Sequence, residues 1–319
     1  MTTNQSPHVC AFIVTFNRCA LLRECVRSLQ NGTRPPDEIF IINNASSDGT
    51  REMLAAEFPD LPTLHFSSNE GASRGYYEGF KHGFENGFDF TWVVDDEGIA
   101  APDCLEKLLA QAHGNAVVTP LKQDSGGRFY GIHVWQGRNL DIAPELVGTH
   151  QPVKREDFLF DFTATLIARE VIQKAGLPNR GFFIWFDDFE FAFRVKARAK
   201  ADIIAVPDAL FFHDFGANTR TVRFLGRTSY RSNQPAWKGY YGVRNPLYTL
   251  LKRRRPKELG LFLLVQTRLL LMDLVLEHDR WHRARLRFKG LFDGLFGRLG
   301  QRVTPPTKSA TSTRAQEAV

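Results

Sequence analysis

VCAFIVTFNRCALLRECVRSLQNGTRPPDEIFIINNASSDGT, residues 9–50, carries the pattern that sets the architecture. Its apolar run Val9–Thr15 reads as a strand, the stretch from about Ala20 to Gln30 as a helix, and Glu38–Ile42 as a second strand. The turn Asn44-Ala-Ser-Ser-Asp48-Gly-Thr then opens a helix near Arg51–Phe58. The same rhythm runs on through a strand at Leu64–Ser67, a helix from about Ser73 to Asn86, and a strand at Phe90–Val94 that ends in Asp95. A helix after Pro102 and a strand at Ala116–Thr119 follow. Strands separated by helical segments of this length predict right-handed crossovers and a Rossmann-like, mostly parallel α/β sheet flanked by helices. Ligands of such sheets bind beyond the carboxyl ends of the strands. Thr15–Arg18, Asn43–Asn44 and Asp95–Glu97 all fall at those ends.

Farther along, residues 126–156 are irregular and predict loops with short antiparallel strands. Phe160–Ala168 reads as a strand feeding a helix that ends near Gly176, and Asp187–Ala199 as an amphipathic helix. Strands follow at Ile203–Val206 and Leu210–His213. From about Trp237 the pattern is helical. Three regions result: a catalytic domain over 1–235, a basic helical region over 236–302, and a polar tail over 303–319 expected to be disordered. The four cysteines show no zinc or disulfide spacing and read as reduced thiols of a cytoplasmic protein. Met1–Pro7 is polar and the following apolar run is short, so no signal peptide is predicted. Leu259–Leu276 carries Gln266, Arg268 and Asp273, so no membrane span is predicted either.

Chemistry concentrates in three places. Trp92-Val-Val-Asp-Asp-Glu97 closes an apolar strand with three acids. Alternate residues of an extended chain share a side, so Asp95 and Glu97 can face one ligand while Asp96 faces another way. Hard oxygen ligands favour Mg²⁺ or Mn²⁺, which would bridge a donor diphosphate. A solvated acidic turn explains the acids equally well when they are taken alone. In Phe182-Phe-Ile-Trp-Phe-Asp-Asp-Phe-Glu190, Asp187 and Asp188 sit among aromatics at a helix start. A carboxylate there can take a proton from an acceptor hydroxyl, although a capping Asp is the commoner explanation. His213 ends an apolar strand and offers a third metal ligand, against the plainer reading of a structural histidine. Asn69-Glu-Gly-Ala-Ser-Arg-Gly75 precedes a helix whose N–H groups can meet phosphate or ribose. It is no dinucleotide fingerprint, and a turn that merely starts a helix also accounts for it.

These pieces occur in the order and spacing of the family 2 glycosyltransferases, and between Val9 and Asn245 the chain resembles the branch holding bacterial galactofuranosyltransferases and rhamnosyltransferases. The resemblance implies the GT-A fold. Thr15-Phe-Asn-Arg18 is similar to the opening donor motif, which places Thr15, Phe16 and Arg18 at the base and diphosphate. Ile41–Thr50 is similar to the second donor motif, which puts Asn44 near the nucleoside. Asn69–Gly75 resembles an Asn-x-Gly-Gly-x-Gly-Gly segment, with Asn69 toward ribose or sugar; Ser73 and Arg74 interrupt its glycines, and Arg74 becomes a candidate phosphate contact. The metal motif implies ligation by Asp95 and Glu97, with Asp96 beside the donor and Glu97 where Asp is usual. Phe186-Asp-Asp188 matches the catalytic-base segment, which makes Asp188 the base and Asp187 its neighbour, and His213 falls where galactofuranosyltransferases supply a metal-binding His. Tyr240-Tyr-Gly-Val-Arg-Asn245 resembles a further segment of the branch. The implied reaction inverts the anomeric centre and uses Mn²⁺ or Mg²⁺, a UDP-galactofuranose or, second, a dTDP-rhamnose donor, and a cell-surface glycan or lipid-linked acceptor.

Charge is lopsided. Residues 1–219 hold 20 Lys and Arg against 29 Asp and Glu, whereas 220–319 hold 21 against 6. Lys252-Arg-Arg-Arg-Pro-Lys257, the apolar Leu259–Leu276, and Arg280–Lys289 with Phe288, Leu291, Phe292, Leu295 and Phe296 predict an interfacial helical region on the inner face of an anionic membrane. Packing on the body or on a second subunit is the alternative. A nucleic-acid-binding protein would explain the basic region but not the acidic cluster, so no nucleic acid is expected. A catalytically dead nucleotide-binding module would bind donor without turnover, and a sugar nucleotidyltransferase would want a Gly-rich loop after the first strand, which Thr15–Arg18 does not provide.

Overall fold

The protein is described as a computed structural model over residues 6–130, 133–135, 140–142, 146–214, 219–224 and 226–305. β1 (Val9–Thr15) is buried along nearly its whole length, as a strand covered on both faces must be. α1 (Cys19–Gln30) lays Leu22, Cys25, Val26 and Leu29 on the sheet at helical spacing. β2 (Glu38–Asn43), α2 (Thr50–Glu57), β3 (Thr63–His65), α3 (Ala72–Glu85) and β4 (Phe90–Asp95) complete the first half. Its strands are parallel in the order β3-β2-β1-β4. The chain therefore leaves β1 to one side and returns on the other, making a switch point where Val14 pairs with Asp95 and Thr15 with Asn43.

α3 crosses this sheet at unusually close range. Gly75, Gly79 and Gly83 form an i, i+4, i+8 stripe, and a methyl group at Gly79 would lie 2.2 Å from the Phe12 ring. The glycines are there so that the helix backbone can rest on β1 and β4.

β5 (Ile99–Ala100), α4 (Cys104–Leu109) and β6 (Ala116–Gln123) come next. Short strands follow: β7 (Phe129–Tyr130), β8 (His133–Trp135), β9 (Leu140–Ile142), β10 (Val153–Lys154) and β11 (Phe158–Leu159). β12 (Thr165–Ala168) is shorter than the predicted Phe160–Ala168 and lies antiparallel between β4 and β6. Residues 160–164 instead form an irregular segment, with Ala164 at φ 56°. α5 (Arg169–Ala175) and α6 (Asp187–Arg194) follow, the latter running into a π-helical turn at Val195–Ala199. The two strands expected at 203–206 and 210–213 are one, β13 (Asp202–Phe212), with a register shift between Val206 and Leu210 across Pro207. It pairs parallel to β6 and extends the sheet to β10.

β14 (Thr219–Phe224) and β15 (Arg227–Ser232) form a hairpin before α7 (Ala236–Lys252), α8 (Pro256–Leu276) and α9 (Arg280–Leu295). α9 packs on α7 so closely that methyl groups at Gly290 and Gly294 would fall 2.8 Å from the carbonyls of Tyr240 and Arg244. α8 packs beside α9, where Asp273 accepts from Arg287 at 2.6 Å and Gln266 accepts from the same guanidinium at 2.5 Å. The chain stays docked past 302: the Tyr241 hydroxyl donates to the Val303 carbonyl. The rest of the predicted tail, from residue 306, lies outside the described residues. All four cysteines are free thiols.

Candidate active site

Asp95 ends β4 at the switch point, and its carboxylate gathers three donors. Tyr76 on α3 donates to Oδ1 at 3.1 Å and Thr163 to Oδ2 at 3.0 Å, while His213 Nε2 stands 3.3 Å from Oδ2. The same imidazole nitrogen is 3.4 Å from Glu97 Oε1. Asp95, Glu97 and His213 thus converge from β4, the turn after it and the end of β13. Burial disfavours charge on His213, yet its bonds to the two carboxylates outweigh that and push its pKa up to about 9. The field that attracts a proton here would attract a divalent cation equally, and two carboxylate oxygens with one imidazole suit Mn²⁺ or Mg²⁺. The residues fit such an ion.

Asp96 points elsewhere, as alternation required. It is buried beneath Arg18, whose guanidinium lies 2.9 Å from Asp96 and 2.8 Å from Glu97. Burial lifts its pKa to about 6, with Arg18 opposing. Arg18 therefore braces the acidic turn at the rim of the site. Thr15 is buried at the end of β1, and Phe16 beyond it is exposed. Asn44 and Asn69 hold one another: the Asn44 amide donates to Asn69 Oδ1 at 3.1 Å and accepts from the Glu70 N–H at 2.9 Å. Arg74 departs from expectation, because it pairs with Glu78 one turn on at 2.7 Å and stacks on Tyr77, partners on its own helix.

Asp187 and Asp188 open α6 after a strained approach. Phe183, Trp185 and Phe186 all take positive φ, at 67°, 67° and 69°. Each such residue costs roughly 1–3 kcal/mol and persists only where its surroundings hold it. α7 supplies the hold. Buried Asn245 donates to the carbonyls of Phe182, Ile184 and Trp185 at 3.2, 2.9 and 2.8 Å, and buried Arg244 donates to Phe182 at 2.7 Å. The ring of Tyr241 stacks on Phe183. From the other side, Ser73 at the start of α3 donates its N–H to the Phe183 carbonyl at 3.1 Å.

The loop delivers both carboxyls to a cavity of about 530 Å³ that Asp95, Tyr76 and Thr163 also line. Trp185 forms one wall, backed by Gly242, where a methyl group would meet its ring at 3.3 Å. Burial raises the Asp187 pKa to about 6, the Ser73 hydroxyl opposing. Asp188 is lifted well above the carboxylate range, by burial first and then by the charges of Asp187, Asp161 and Asp95. Behind the cavity, buried Lys122 pairs with Asp161, which also accepts from the Thr163 N–H at 2.9 Å.

Away from this site, Cys10, Glu38 and His82 bring ligand atoms within 4.8 Å of one another, the one group among the described residues that draws all three so close, at the opposite end of β1. Burial raises the Cys10 thiol, and Glu38 raises it further, so the cluster holds together as an imidazole–carboxylate hydrogen bond beside a protonated thiol. It belongs to the packing of α3 on β2.

Sequence reasoning did not pick out Tyr76, Thr163 or Trp185, and noticed Arg244 and Asn245 only as part of a motif without a task. Nothing local marks the first three, because their role arises from elements that meet only in space.

A family model described as Glycosyl transferase family 2 matches residues 10–171. The galactofuranosyltransferase GlfT1 of Mycolicibacterium smegmatis is 24% identical over 283 residues, covering 82% of this chain and 91% of its own. Among solved structures, S. aureus TarS 1–349 superposes with a TM-score of 0.58 at 13% identity, over 91% of this chain and 82% of that one. The mannosyltransferase PcManGT from Pyrobaculum calidifontis, in complex with GDP-Man and Mn²⁺, gives 0.55 at 14%, over 92% and 88%. GalNAc-T7 with UDP, GalNAc and Mn²⁺ gives 0.57 at 15%; 78% of this chain matches 48% of that enzyme, so the chain spans about half its length. At these identities the likeness is one of fold, and the fold is GT-A.

Proposed function

The chain belongs to glycosyl transferase family 2, and we propose that it is an inverting, divalent-metal-dependent transferase that moves galactofuranose from UDP-galactofuranose onto a growing bacterial glycan presented on a lipid. The observation that carries the mechanism is that Asp188 and Asp95 line the same cavity. The donor lies across the carboxyl ends of β1 and β2, its base against Phe16, its ribose or sugar toward the Asn44–Asn69 pair, and its diphosphate toward the turn braced by Arg18 and Asp96. Asp95, Glu97 and His213 would hold Mn²⁺ or Mg²⁺, which when bound would supply neutralisation of the charge that develops on the leaving nucleoside diphosphate. Asp188 accepts the proton of the acceptor hydroxyl as that oxygen bonds to the anomeric carbon. The bond from that carbon to the diphosphate oxygen breaks with its electron pair, and attack from the opposite face inverts the centre. Trp185 offers an apolar face for the acceptor sugar to stack on, and Asp187 stands beside the base.

GlfT1 supports galactofuranose as the first donor to try. Release of nucleoside diphosphate from a panel of donors, dTDP-rhamnose included, with Mn²⁺ or with a chelator, tests the reading. UDP released from UDP-galactofuranose only when the cation is present is the expected result. Donor binding with no release to any acceptor identifies a dead nucleotide-binding module, and equal release in chelator removes the metal.

A further inference from the structure

Nine of the fourteen large hydrophobic side chains that stand exposed among the described residues belong to α8 and α9, and a tenth, Phe296, follows α9 directly, which makes this pair the molecule's one concentrated apolar surface there. On α8 the exposed residues Leu264, Leu271 and Val275 recur seven and four residues apart and so share a helix face. Of the polar residues of this helix, Arg268 is exposed on that same face, where its long stem can carry the guanidinium out to a headgroup. Gln266 and Asp273 are buried on the opposite side, where they bind Arg287 of α9. On α9 the exposed stripe is Trp281, Phe288, Phe292 and Leu295, facing away from the glycines that pack on α7. Leu264, Val275 and Trp281 are 70%, 68% and 72% exposed, far more than folded packing leaves such residues.

α8 is long and apolar enough to cross a membrane by length and composition, with 17% of its apolar window buried. The structure nonetheless ties down both its ends. It begins where α7 stops and ends where α9 starts, and α7 and α9 pack against one another through Gly290, Gly294 and the 2.6 Å bond from Tyr240 to Asp293. Two ends held in one packed layer stay on one side of a bilayer. Basic residues border the apolar stripes: Lys252, Arg254 and Lys257 are exposed around the start of α8, and Arg280 and Arg285 on α9. Arg298 stacks on Phe292.

We infer that α8 and α9 lie flat on an anionic lipid bilayer, their apolar stripes in the acyl boundary and their arginines and lysines among the headgroups. Charge selects this occupant. Residues 236–302 hold 15 Lys and Arg against 5 Asp and Glu, so a second copy docking face to face would bring like charge onto like charge, whereas anionic lipid neutralises it. A nucleic acid would match the arginines but leave the leucine and aromatic stripes in water. α7 joins this surface to the chemistry: α9 packs on one side of it, while Gly242 and Pro246 line the cavity that holds Asp188. That the docked bilayer carries the acceptor rests on the transferase reading; the docking itself does not.

The full chain is floated with phosphatidylcholine vesicles, with and without phosphatidylglycerol. It should float with the anionic vesicles, about tenfold or more better than with neutral ones, and lose that advantage in high salt. The pair Leu264→Ser and Leu271→Ser, and separately Trp281→Ser and Phe288→Ser, should each cut binding by about tenfold with the circular dichroism spectrum unchanged, since these side chains are exposed. Release of UDP to a soluble acceptor should be unaltered. Absence of flotation, equal binding to neutral vesicles, or binding indifferent to both pairs would overturn the inference. So would a dimer that the same substitutions dissociate without vesicle binding, or salt-sensitive retention on DNA in its place. Because flotation needs no turnover, an inactive enzyme that still floats would overturn only the transferase reading.

Discussion

Asp187 and Asp188 are carboxyls held where charge is disfavoured, and that sets how the enzyme should respond to pH. A base works only when ionised. Since burial and mutual repulsion raise the Asp188 pKa well above the carboxylate range, turnover should fall with acidification through a midpoint far above that of an exposed aspartate, which a pH–rate profile would show. Stability should run the other way. The Asp187 carboxyl is raised from 3.8 to about 6, so between those values the folded state binds more protons than the unfolded chain and loses stability as pH rises. Above the folded pKa the whole loss is incurred, on the order of 2–3 kcal/mol. Asp187→Asn, melted in chelator near neutral pH, should therefore be more stable than the parent, and the difference should vanish below about pH 4. A variant less stable than the parent at neutral pH would show that the Asp187 charge is compensated. At this scale the sequence was readable where chemistry is local. Asp95, Glu97 and His213 meet as anticipated, because strand alternation and strand ends position them. Arg74 pairs with Glu78 because residues four apart on a helix share a face.

Elements explain why the proposed base follows a strained loop. α7 is less a linker than a clamp, and Asn245 alone satisfies three carbonyls of residues 182–185. Asn245→Ala takes their side-chain donor from the Ile184 and Trp185 carbonyls, while Arg244 still holds Phe182, at about 1–3 kcal/mol for each buried group that water cannot reach, and frees Trp185 and Phe186 from positive φ. Turnover should fall by about ten- to a hundredfold, since misplacing a catalytic group by an ångström costs that much, and donor affinity should hold, because the residues placed at the nucleotide lie just after β1, β2 and β4 and just before α3. Equal losses of turnover and donor affinity would contradict the clamp. The first five elements were legible because their apolar periods are long and their turns carry Asn, Asp and Gly. β12 was legible as a strand but not in its direction: four buried residues have no directional signature, so nothing in Thr165–Ala168 announces an antiparallel strand among parallel ones. Pro207 looked like a break between two strands and is a bulge within one. Gly75 read as the end of a turn that can meet phosphate or ribose; in the fold it joins Gly79 and Gly83 in close packing on β1 and β4.

On the scale of the molecule, an acidic α/β body carries a basic helical layer, and one helix, α7, touches both the reaction cavity and that layer. Net charge by region was countable from composition, but which apolar residues face outward was not. Gln266, Arg268 and Asp273 made the α8 segment look too polar for lipid; Arg287 takes the first and the last, while Arg268 stays exposed. The proposed mechanism depends throughout on a cation site and a proton acceptor serving a single sugar. Asp188→Asn tests that most directly, with UDP release from UDP-galactofuranose in Mn²⁺ and UDP binding measured on the same preparation. The substitution keeps volume and removes only the acceptor of the proton, so release should fall by about 10²–10⁴-fold while UDP binds as it does to the parent. Release close to the parent's would mean that another group takes the proton and that the cavity shared by Asp188 and Asp95 is not where the sugar is transferred.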